Sequence, residues 1–432
     1  MSGTRQRHSL KACLGVRVES STRMLAIVFV LAIAASPVMQ AQTFQVLHTF
    51  AGGLDGGFPF DLTTDAAGNL YGPASCCGLD YGGVYELQRS GSDWLFNPLY
   101  LFDGNDGTYP QNGVAFGPDG LLYGTTTNGG TDGNGVVFSL RPAAGFCRGF
   151  FCPRTETVLY NFGYSPDAAG PTGDLTFDQA GNIYGVAGNG PEGGGAVYEL
   201  MPSGNSWIER VLYGFPQTDG EQAHPYSGVI FDNAGNLYGT TVSGGAHNKG
   251  TVFQLVPGNG GWTENTLYNF QGGSDGDYPY GGLIFDRAGN IYGTTFGGGD
   301  GGGGTVFVMT PSNGGWTFTT IYSFVATSVC QGGADRGGPL ASLVMDAAGS
   351  LYASTVCDGA YGLGSAFKLT RSGGTWAYSD LHDFCAEGRD SCSDGYFPSG
   401  RLALDAAGNI YGTSWSGGHH YLAEGVAWEI TP

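Results

Sequence analysis

The sequence predicts an all-β protein that folds as a single seven-bladed β-propeller with four antiparallel strands in each blade. Three observations support this prediction: a tripeptide that recurs seven times, an acidic turn that precedes it, and chain ends that complement each other. Glycine supplies 80 of the 432 residues and 13% of the residues are aromatic. This composition is typical of short strands joined by tight turns. No stretch after residue 41 shows a sustained helical period with caps.

The tripeptide is Leu-Tyr-Gly or Ile-Tyr-Gly, or a close variant of them. In the repeat around Tyr292, the pattern predicts strand A at 282–286, strand B at 290–295, strand C at 304–309 and strand D at 316–324. Self-similarity at a fixed period indicates one supersecondary unit for each copy. The seven tyrosines are Tyr71, Tyr123, Tyr184, Tyr238, Tyr292, Tyr352 and Tyr411.

An acidic turn joins strands A and B in each repeat. An Asp side chain bonds backbone amides two residues on, and a following Gly adopts positive φ. We therefore expect a structural turn, with a ring of calcium sites as the alternative. The turn aspartates are Asp65, Asp178, Asp232, Asp286, Asp346 and Asp405, with Pro118-Asp119-Gly120 in the second repeat.

The two ends of the chain are expected to complete one blade. Residues 43–50 resemble a strand D, whereas the chain stops just past a strand C at 426–430. Pairing them gives the seventh blade its fourth strand and leaves no open edge. An open solenoid is the alternative. Strand D tryptophans are expected to pack between blades; they are Trp94, Trp207, Trp262, Trp316 and Trp376.

Residues 1–41 resemble a secretory signal peptide, which leaves 42–432 as the propeller domain. Basic residues precede an apolar run at 24–35, and Ala41 fits a cleavage site. The apolar core is shorter than the roughly 20 residues of a spanning helix. Export with cleavage is therefore expected rather than a retained membrane anchor, and Met24 is an alternative start.

The charge of residues 42–432 excludes two classes of partner. Removing five basic residues and one acid from 17 Lys+Arg and 37 Asp+Glu leaves 12 and 36, a net charge of −24. Nucleic-acid binding needs clustered basic residues, and anionic membranes attract them. We expect a secreted monomer that binds neither.

Eight cysteines remain after cleavage, an even number that favours disulfides in an exported protein. The predicted pairs are Cys147–Cys152, Cys330–Cys357 and Cys385–Cys392, and Cys76-Cys77 is either a vicinal pair or two free thiols. No Cys or His spacing indicates a metal site.

The chain resembles the GloVer tandem-repeat proteins, which belong to the choice-of-anchor group of exported bacterial proteins. This resemblance implies no particular activity. Members often end in a sorting or anchoring segment, whereas this chain has no hydrophobic tail before Pro432, so release is expected. The segments that carry the resemblance are 235–241, 250–253, 261–263 and 272–279.

Three features of the face formed by the D–A and B–C loops are candidate sites. The first is an aromatic residue or His before Pro in five D–A loops, including Tyr109 and Tyr278, where packing is expected over sugar stacking. The second is the last B–C loop, the densest polar-aromatic cluster, suited to glycan stacking or less readily to a metal. Its residues are Trp415, His419, His420 and Tyr421.

The third feature is the residue four positions before the turn Asp. It is Gly or Ser in four repeats but Asp61, Asp174 and Arg401 in the others. A unique charge at the mouth of a channel suits a catalytic or ligand-orienting group. An ion pair between blades is the alternative.

These features predict a secreted, non-catalytic binding module for glycans or other surface polymers, with no cofactor. No nucleophile elbow, Walker loop or zincin helix is present. An enzyme of the metal-dependent lactonase or polysaccharide lyase type, with the three charged residues at its centre, is the second hypothesis. A structural component of an extracellular matrix is the third.

Overall fold

The computed structural model describes residues 42–76, 81–142, 153–218, 221–326, 337–388, 391–418 and 424–432. The compact unit extends from Thr43 to Thr431. In the described part of the chain it is built of β-strands, without an α-helix. None of these residues forms a helix of the length and apolarity that crossing a membrane requires.

The strands form seven antiparallel sheets, one for each repeat, as predicted. Strand β1 (Thr43–Thr49) belongs to blade 7. Blade 1 contains β2 (Gly57–Pro59), β3 (Thr63–Thr64), β4 (Leu70–Cys76), β5 (Gly83–Ser90) and β6 (Asp93–Leu101). Blade 2 contains β7 (Ala115–Phe116), β8 (Leu122–Thr126), β9 (Val136–Arg141) and β10 (Thr155–Asn161). Blade 3 contains β11 (Ala169–Phe177), β12 (Ile183–Asn189), β13 (Gly193–Ser203), β14 (Ser206–Thr218) and β15 (Glu221–Gln222).

The remaining blades repeat the same order of strands. Blade 4 contains β16 (Ile230–Phe231), β17 (Leu237–Thr241), β18 (Thr251–Gly258) and β19 (Gly261–Asn269). Blade 5 contains β20 (Ile284–Phe285), β21 (Ile291–Thr295), β22 (Gly302–Ser312) and β23 (Gly315–Val325). Blade 6 contains β24 (Val344–Met345), β25 (Leu351–Thr355), β26 (Ser365–Ser372) and β27 (Thr375–Asp383). Blade 7 adds β28 (Ala403–Leu404), β29 (Ile410–Ser414) and β30 (Val426–Thr431).

The N-terminal strand closes the ring, which confirms the predicted closure. Strand β1 pairs antiparallel with β30, and the order of the sheet is β1-β30-β29-β28. Strand A of every blade faces a common channel, because one cavity is lined by one residue or more from each of them. These residues include Thr63, Ala115, Thr176, Ile230, Ile284, Val344 and Leu404.

Strand A of blade 5 is shorter than predicted. In blade 5 only Ile284 and Phe285 pair with strand B, although 282–286 was predicted. The reason lies at the channel, where the backbone turns toward the next blade instead of its own sheet. The amide of Gly282 donates to Ser342 Oγ of blade 6 at 2.8 Å.

The acidic turns are structural, as expected. Asp232 Oδ1 accepts hydrogen bonds from the amides of Ala234 and Asn236 at 2.8 and 2.9 Å. Its Oδ2 accepts from Asn236 Nδ2 at 2.7 Å and from the hydroxyl of Tyr238 at 3.0 Å. The tyrosine of the recurring tripeptide therefore fastens strand B to the turn that precedes it.

Aromatic packing joins neighbouring blades. The Trp94 ring of blade 1 lies edge-on to Tyr411 of blade 7, with 5.7 Å between ring centroids. Trp316 meets Tyr238 in the same way at 6.1 Å. The expected packing role of these tryptophans is confirmed. Contacts between a strand D tryptophan and the tripeptide tyrosine of the preceding blade therefore hold these neighbouring blades together.

One predicted disulfide lies wholly in described residues, and it is present between Cys385 and Cys392. Cys76 and Cys357 are also in disulfides, which excludes a free thiol at Cys76. Their predicted partners, Cys77 and Cys330, lie outside the described residues, as does the predicted pair Cys147–Cys152.

Candidate functional site

A ring of seven residues surrounds the mouth of the channel, each four positions before the turn between strands A and B. Four members have small side chains and three are charged. The charged members come from blades 7, 1 and 3, whereas blades 4, 5 and 6 contribute small side chains only. In chain order the ring is Asp61, Gly113, Asp174, Gly228, Gly282, Ser342 and Arg401.

The three charged residues form a connected group. Arg401 Nη2 lies 3.4 Å from Asp174 Oδ2, and Arg401 Nε lies 3.9 Å from Asp61 Oδ2. The backbone amide of Arg401 also donates to Asp61 Oδ1 at 2.6 Å. The interblade ion pair that the sequence left as an alternative therefore exists. It joins blades 7, 1 and 3 across the closure of the ring.

Gly113 of blade 2 makes possible the contact between Arg401 and Asp174, whose blades are separated by two others. A Cβ atom at this position would lie 2.6 Å from Asp174 Oδ1 and 3.4 Å from Arg401 Nη2. Any larger residue would occupy the space in which the guanidinium and the carboxylate meet. The missing side chain in blade 2 thus explains why a residue of blade 7 reaches one of blade 3.

The electrostatics of this group differ from those of an ordinary surface ion pair. Burial and the charge of Asp174 raise the pKa of Asp61 to about 6, against the opposing effects of Arg401. The pKa of Arg401 is raised, chiefly by Asp174 and also by Asp61, although burial opposes the shift. Two carboxylates share one guanidinium, so the group carries a net charge of −1 when both are ionised.

A cavity of about 360 Å³ lies above this group at the mouth of the channel. Its walls come from the residues that follow a proline in the D–A loops. These residues are Phe60, Gln111, Tyr226, Tyr280, Leu340 and Ser399. Asp61 and Asp174 also line the cavity. Asp174 lines the central channel beneath it as well, together with Arg401, so the ion pair separates the two spaces.

One wall of the cavity is aromatic. Tyr226 and Tyr280 meet edge to face with 5.2 Å between ring centroids, and Tyr280 meets Phe296 in the same way at 5.8 Å. Tyr226 is 41% exposed, so its ring is accessible from the cavity. Burial raises the pKa of its hydroxyl, with smaller contributions from Tyr280 and from the charge of Asp61. The aromatic wall and the carboxylates therefore face the same small space.

The other wall is polar. Gln111 and Asn112 lie beside Asp61 and Asp174, and the Nδ2 of Asn112 donates to Thr125 Oγ1 at 3.2 Å. The Oγ of Ser399 is buried and has no hydrogen-bond partner among the described residues. The described lining contains two carboxylates and no basic side chain. It can therefore accept hydrogen bonds from a ligand more readily than it can bind an anion.

Two of the candidate residues, Tyr109 and Tyr278, line no part of this cavity. Both have left-handed backbone angles, with φ of 57° and 56°, which non-glycine residues seldom adopt. The amide of Tyr278 donates to the carbonyl of Lys249 in blade 4, and its carbonyl accepts from Phe296 of its own blade. The backbone of Tyr278 therefore joins adjacent loops, and the packing role expected for the two rings stays a prediction.

The last B–C loop lies at the rim. Trp415 is 42% exposed and packs against Phe58 of blade 1 with 5.2 Å between ring centroids. It does not line the cavity. The other members of this candidate cluster, His419, His420 and Tyr421, lie outside the described residues.

The described part of the chain contains no group of three His, Cys, Asp or Glu side chains with the geometry of a metal site.

The aromatic wall is the feature that the sequence hypotheses missed. They focused on the residue before the proline, whereas the residue after it faces the cavity. Tyr226 and Tyr280 stand two positions before the ring residues Gly228 and Gly282. Since alternate residues of an extended segment share a face, this spacing was the signal that places them at the channel mouth.

Solved structures share the fold. An extracellular domain attributed to a one-component system of B. thetaiotaomicron matches 89% of this chain at 12% identity, with a TM-score of 0.53. This chain spans 40% of the length of that one. A polysaccharide lyase of family PL25, an ulvan lyase bound to -[GlcA(1-4)Rha3S]-, matches 89% of this chain and 95% of its own, at 10% identity and a TM-score of 0.50.

A protein from Lactobacillus plantarum gives a similar result, with 12% identity, a TM-score of 0.50 and coverage of 87% of this chain and 98% of that one. These similarities concern the fold alone. No curated protein matches the sequence. The model of the Gloeobacter/Verrucomicrobia repeat matches residues 29–190 and 187–424, which cover most of the propeller. The chain therefore belongs to the Gloeobacter/Verrucomicrobia repeat family.

Proposed function

We propose that this protein is an exported binding module that holds a saccharide in the cavity at the channel mouth. The observation that carries the proposal is the pairing of two walls in one cavity. Tyr226, Tyr280 and Phe296 form an aromatic side, and amide, hydroxyl and carboxylate groups form the polar side. A sugar ring presents the same division, with C–H groups on its faces and hydroxyl groups at its edge.

The size and position of the cavity support this proposal. Ligand pockets of proteins commonly occupy about 300–1,000 Å³, and this cavity of about 360 Å³ is at the small end of that range. It suits one or two sugar units at the end of a chain. The rest of a polymer would extend over the loop-rich face, where Trp415 and Phe58 offer a second aromatic surface.

A glycan-array experiment on residues 42–432 tests this proposal. Tyr280→Ala removes the central ring of the aromatic wall and should weaken binding about tenfold, given the free energy of a buried aromatic contact. Tyr164→Ala is the matched control, because Tyr164 is an exposed tyrosine of a D–A loop that does not line the cavity. Equal binding by both variants, or no binding by the unmodified protein across a broad panel, would contradict the proposal.

Trp415→Ala separates the cavity from the rim. If the saccharide is bound in the cavity, this variant should bind long oligosaccharides more weakly than the unmodified protein and short ones with the same affinity. If the variant binds neither long nor short oligosaccharides, recognition takes place at the rim instead.

An enzyme is the second candidate, and one observation favours it. Asp61 is a carboxyl group with a raised pKa in a cavity that also contains a second carboxylate, a combination common among general acids and bases. In a lyase reaction it would accept a proton from the substrate as the glycosidic oxygen leaves, and in a lactonase reaction it would accept a proton from the water that attacks the lactone carbonyl. The test is turnover of bound saccharides by the unmodified protein and by Asp61→Asn. Retained turnover in this variant would remove Asp61 from the reaction.

A further inference from the structure

Charge defines which saccharide the cavity can hold. The described lining has two carboxylates, Asp61 and Asp174, and no basic side chain. Among the described residues, the only guanidinium in contact with them is that of Arg401, which lines the channel below the cavity. One negative charge thus remains uncompensated on the side that a ligand enters.

The aromatic wall adds a second, independent observation. Tyr226, Tyr280 and Phe296 stand edge to face, with interplanar angles of 86° and 89° between neighbours. Rings set at right angles present faces and edges in turn to the space between them. The face of an aromatic ring attracts a cation, and ring faces that border a small space can therefore stabilise a bound ammonium group.

A third observation concerns the hydrogen-bonding groups of the lining. The carboxylates of Asp61 and Asp174 accept hydrogen bonds and donate none when they are ionised. An ammonium group donates three hydrogen bonds and accepts none. Such a group matches a cavity that presents two carboxylates.

We infer that the cavity selects a saccharide with a free, protonated amine, such as a 2-amino-2-deoxy sugar that lacks its acetyl group. This inference rests on the proposed function and names the substrate class of the same site. The ammonium lies between the aromatic rings and the carboxylates, and the sugar ring stacks on Tyr226 or Tyr280. Acidic polysaccharides are excluded, because their carboxylates or sulfates would meet an uncompensated negative charge.

Calorimetric titration with matched oligosaccharides tests the inference. The probes are β-1,4-linked oligomers of equal length that carry an amine (chitosan), an acetamide (chitin) or a hydroxyl group (cellulose) at the same position. A permanently cationic trimethylammonium form of the chitosan oligomer makes the charge independent of pH. We expect the amine probe to bind about tenfold or more tightly than the neutral ones, as for a charge-assisted hydrogen bond. The trimethylammonium probe has the charge but donates no hydrogen bond, so it should bind more tightly than the neutral probes and more weakly than the amine.

Variants separate this site from general attraction to an acidic protein. Asp174→Asn removes the excess charge with little change of shape and should reduce the preference for the cationic probes to less than about threefold. Asp93→Asn is the matched control, because Asp93 is an exposed residue outside the cavity. This variant should retain the full preference.

Each other outcome overturns the inference. A preference that persists in Asp174→Asn reflects the acidic surface alone. Neutral probes that bind as tightly as cationic ones, with loss in Tyr280→Ala, contradict the amine and leave saccharide binding intact. Failure of every probe to bind contradicts the inference, and the proposed function is then decided by the broad glycan panel alone.

Discussion

Aspartates in two regions of this propeller have pKa values that shift in opposite directions. At the A–B turns, burial raises the pKa, but hydrogen bonds from the turn amides, from the Asn side chain (Ser350 in the case of Asp346) and from the Tyr hydroxyl outweigh it, so the pKa is lowered. This holds for Asp65, Asp232, Asp286, Asp346 and Asp405. At the channel mouth, burial and the charge of Asp174 raise the pKa of Asp61 to about 6.

The difference shows how a repeat protein separates folding from binding. A repeated residue has equivalent hydrogen-bond partners in each blade, because every copy stabilises the same type of tight turn. A residue that occurs in only some blades lacks such partners and depends on the neighbours that the closed ring brings to it. Asp61 meets Arg401 and Asp174 only because seven blades surround one channel.

The largest effect is expected from the turns. Asp232→Ala removes an acceptor of four hydrogen bonds and should lower the free energy of unfolding by about 3 kcal/mol. Denaturant titration at neutral pH measures the loss. Because the pKa of Asp232 is lowered by folding, its contribution is present above about pH 4 and is lost as the pH falls. A loss below about 1 kcal/mol would contradict the turn role.

The pH dependence of Asp61 should have the opposite sign. Its pKa rises from 3.8 to about 6 on folding, so the folded protein binds more protons between these values and stability falls as the pH rises through them. Relative to Asp61→Asn, the unmodified protein should lose about 2 kcal/mol of unfolding free energy between about pH 4 and pH 8. Denaturation of both proteins at the two pH values measures the difference. The same pH dependence in the unmodified protein and in Asp61→Asn would contradict the raised pKa of Asp61.

The aromatic wall should affect binding and not folding. Tyr280→Ala is expected to weaken saccharide binding about tenfold while Tyr164→Ala has no effect on it. Calorimetric titration gives the affinities. Circular dichroism of both variants checks that the propeller is retained. A Tyr280→Ala variant with unchanged affinity would move the site away from this wall.

A smaller effect is expected from a side chain added at Gly113. Gly113→Ala places a Cβ atom where Asp174 and Arg401 meet and should weaken binding of an amine-bearing saccharide roughly threefold to fivefold by displacing the carboxylate. Gly260→Ala is the matched control, since no atom lies within 4 Å of a Cβ there and its φ is not positive. The same calorimetric titration measures both variants. Equal affinities would mean that the position of Asp174 is unimportant for the ligand.

The fold was predictable because its signals are local and repeated. Tyr238 and Asp232 recur in every blade as the same pair of residues or a close equivalent, and the end segments 43–50 and 426–430 complement each other in the sequence itself. Strand A was overestimated, because the backbone of Gly282 bonds to Ser342 of the next blade instead of its own sheet. The sequence pattern of one repeat cannot predict a hydrogen bond to a residue of the next blade.

The site was predictable only in part. The unusual charges of Asp61, Asp174 and Arg401 stood out against the repeat, and the structure brings the three together. The aromatic wall was missed because Tyr226 and Tyr280 lie in different repeats, each two positions before a glycine. They face the same cavity only in the closed ring of blades. The rim cluster was chosen for its density of polar aromatic residues, a property that does not report which side chains face a common space.

The central claim is that the channel mouth binds a saccharide, and a crystal structure of residues 42–432 with the tightest-binding oligosaccharide tests it most directly. The account predicts a sugar ring against Tyr226 or Tyr280, with a ligand amine within hydrogen-bond distance of the carboxylates of Asp61 and Asp174. A ligand bound at the Trp415 rim or on the opposite face, with the cavity filled by water, would contradict it.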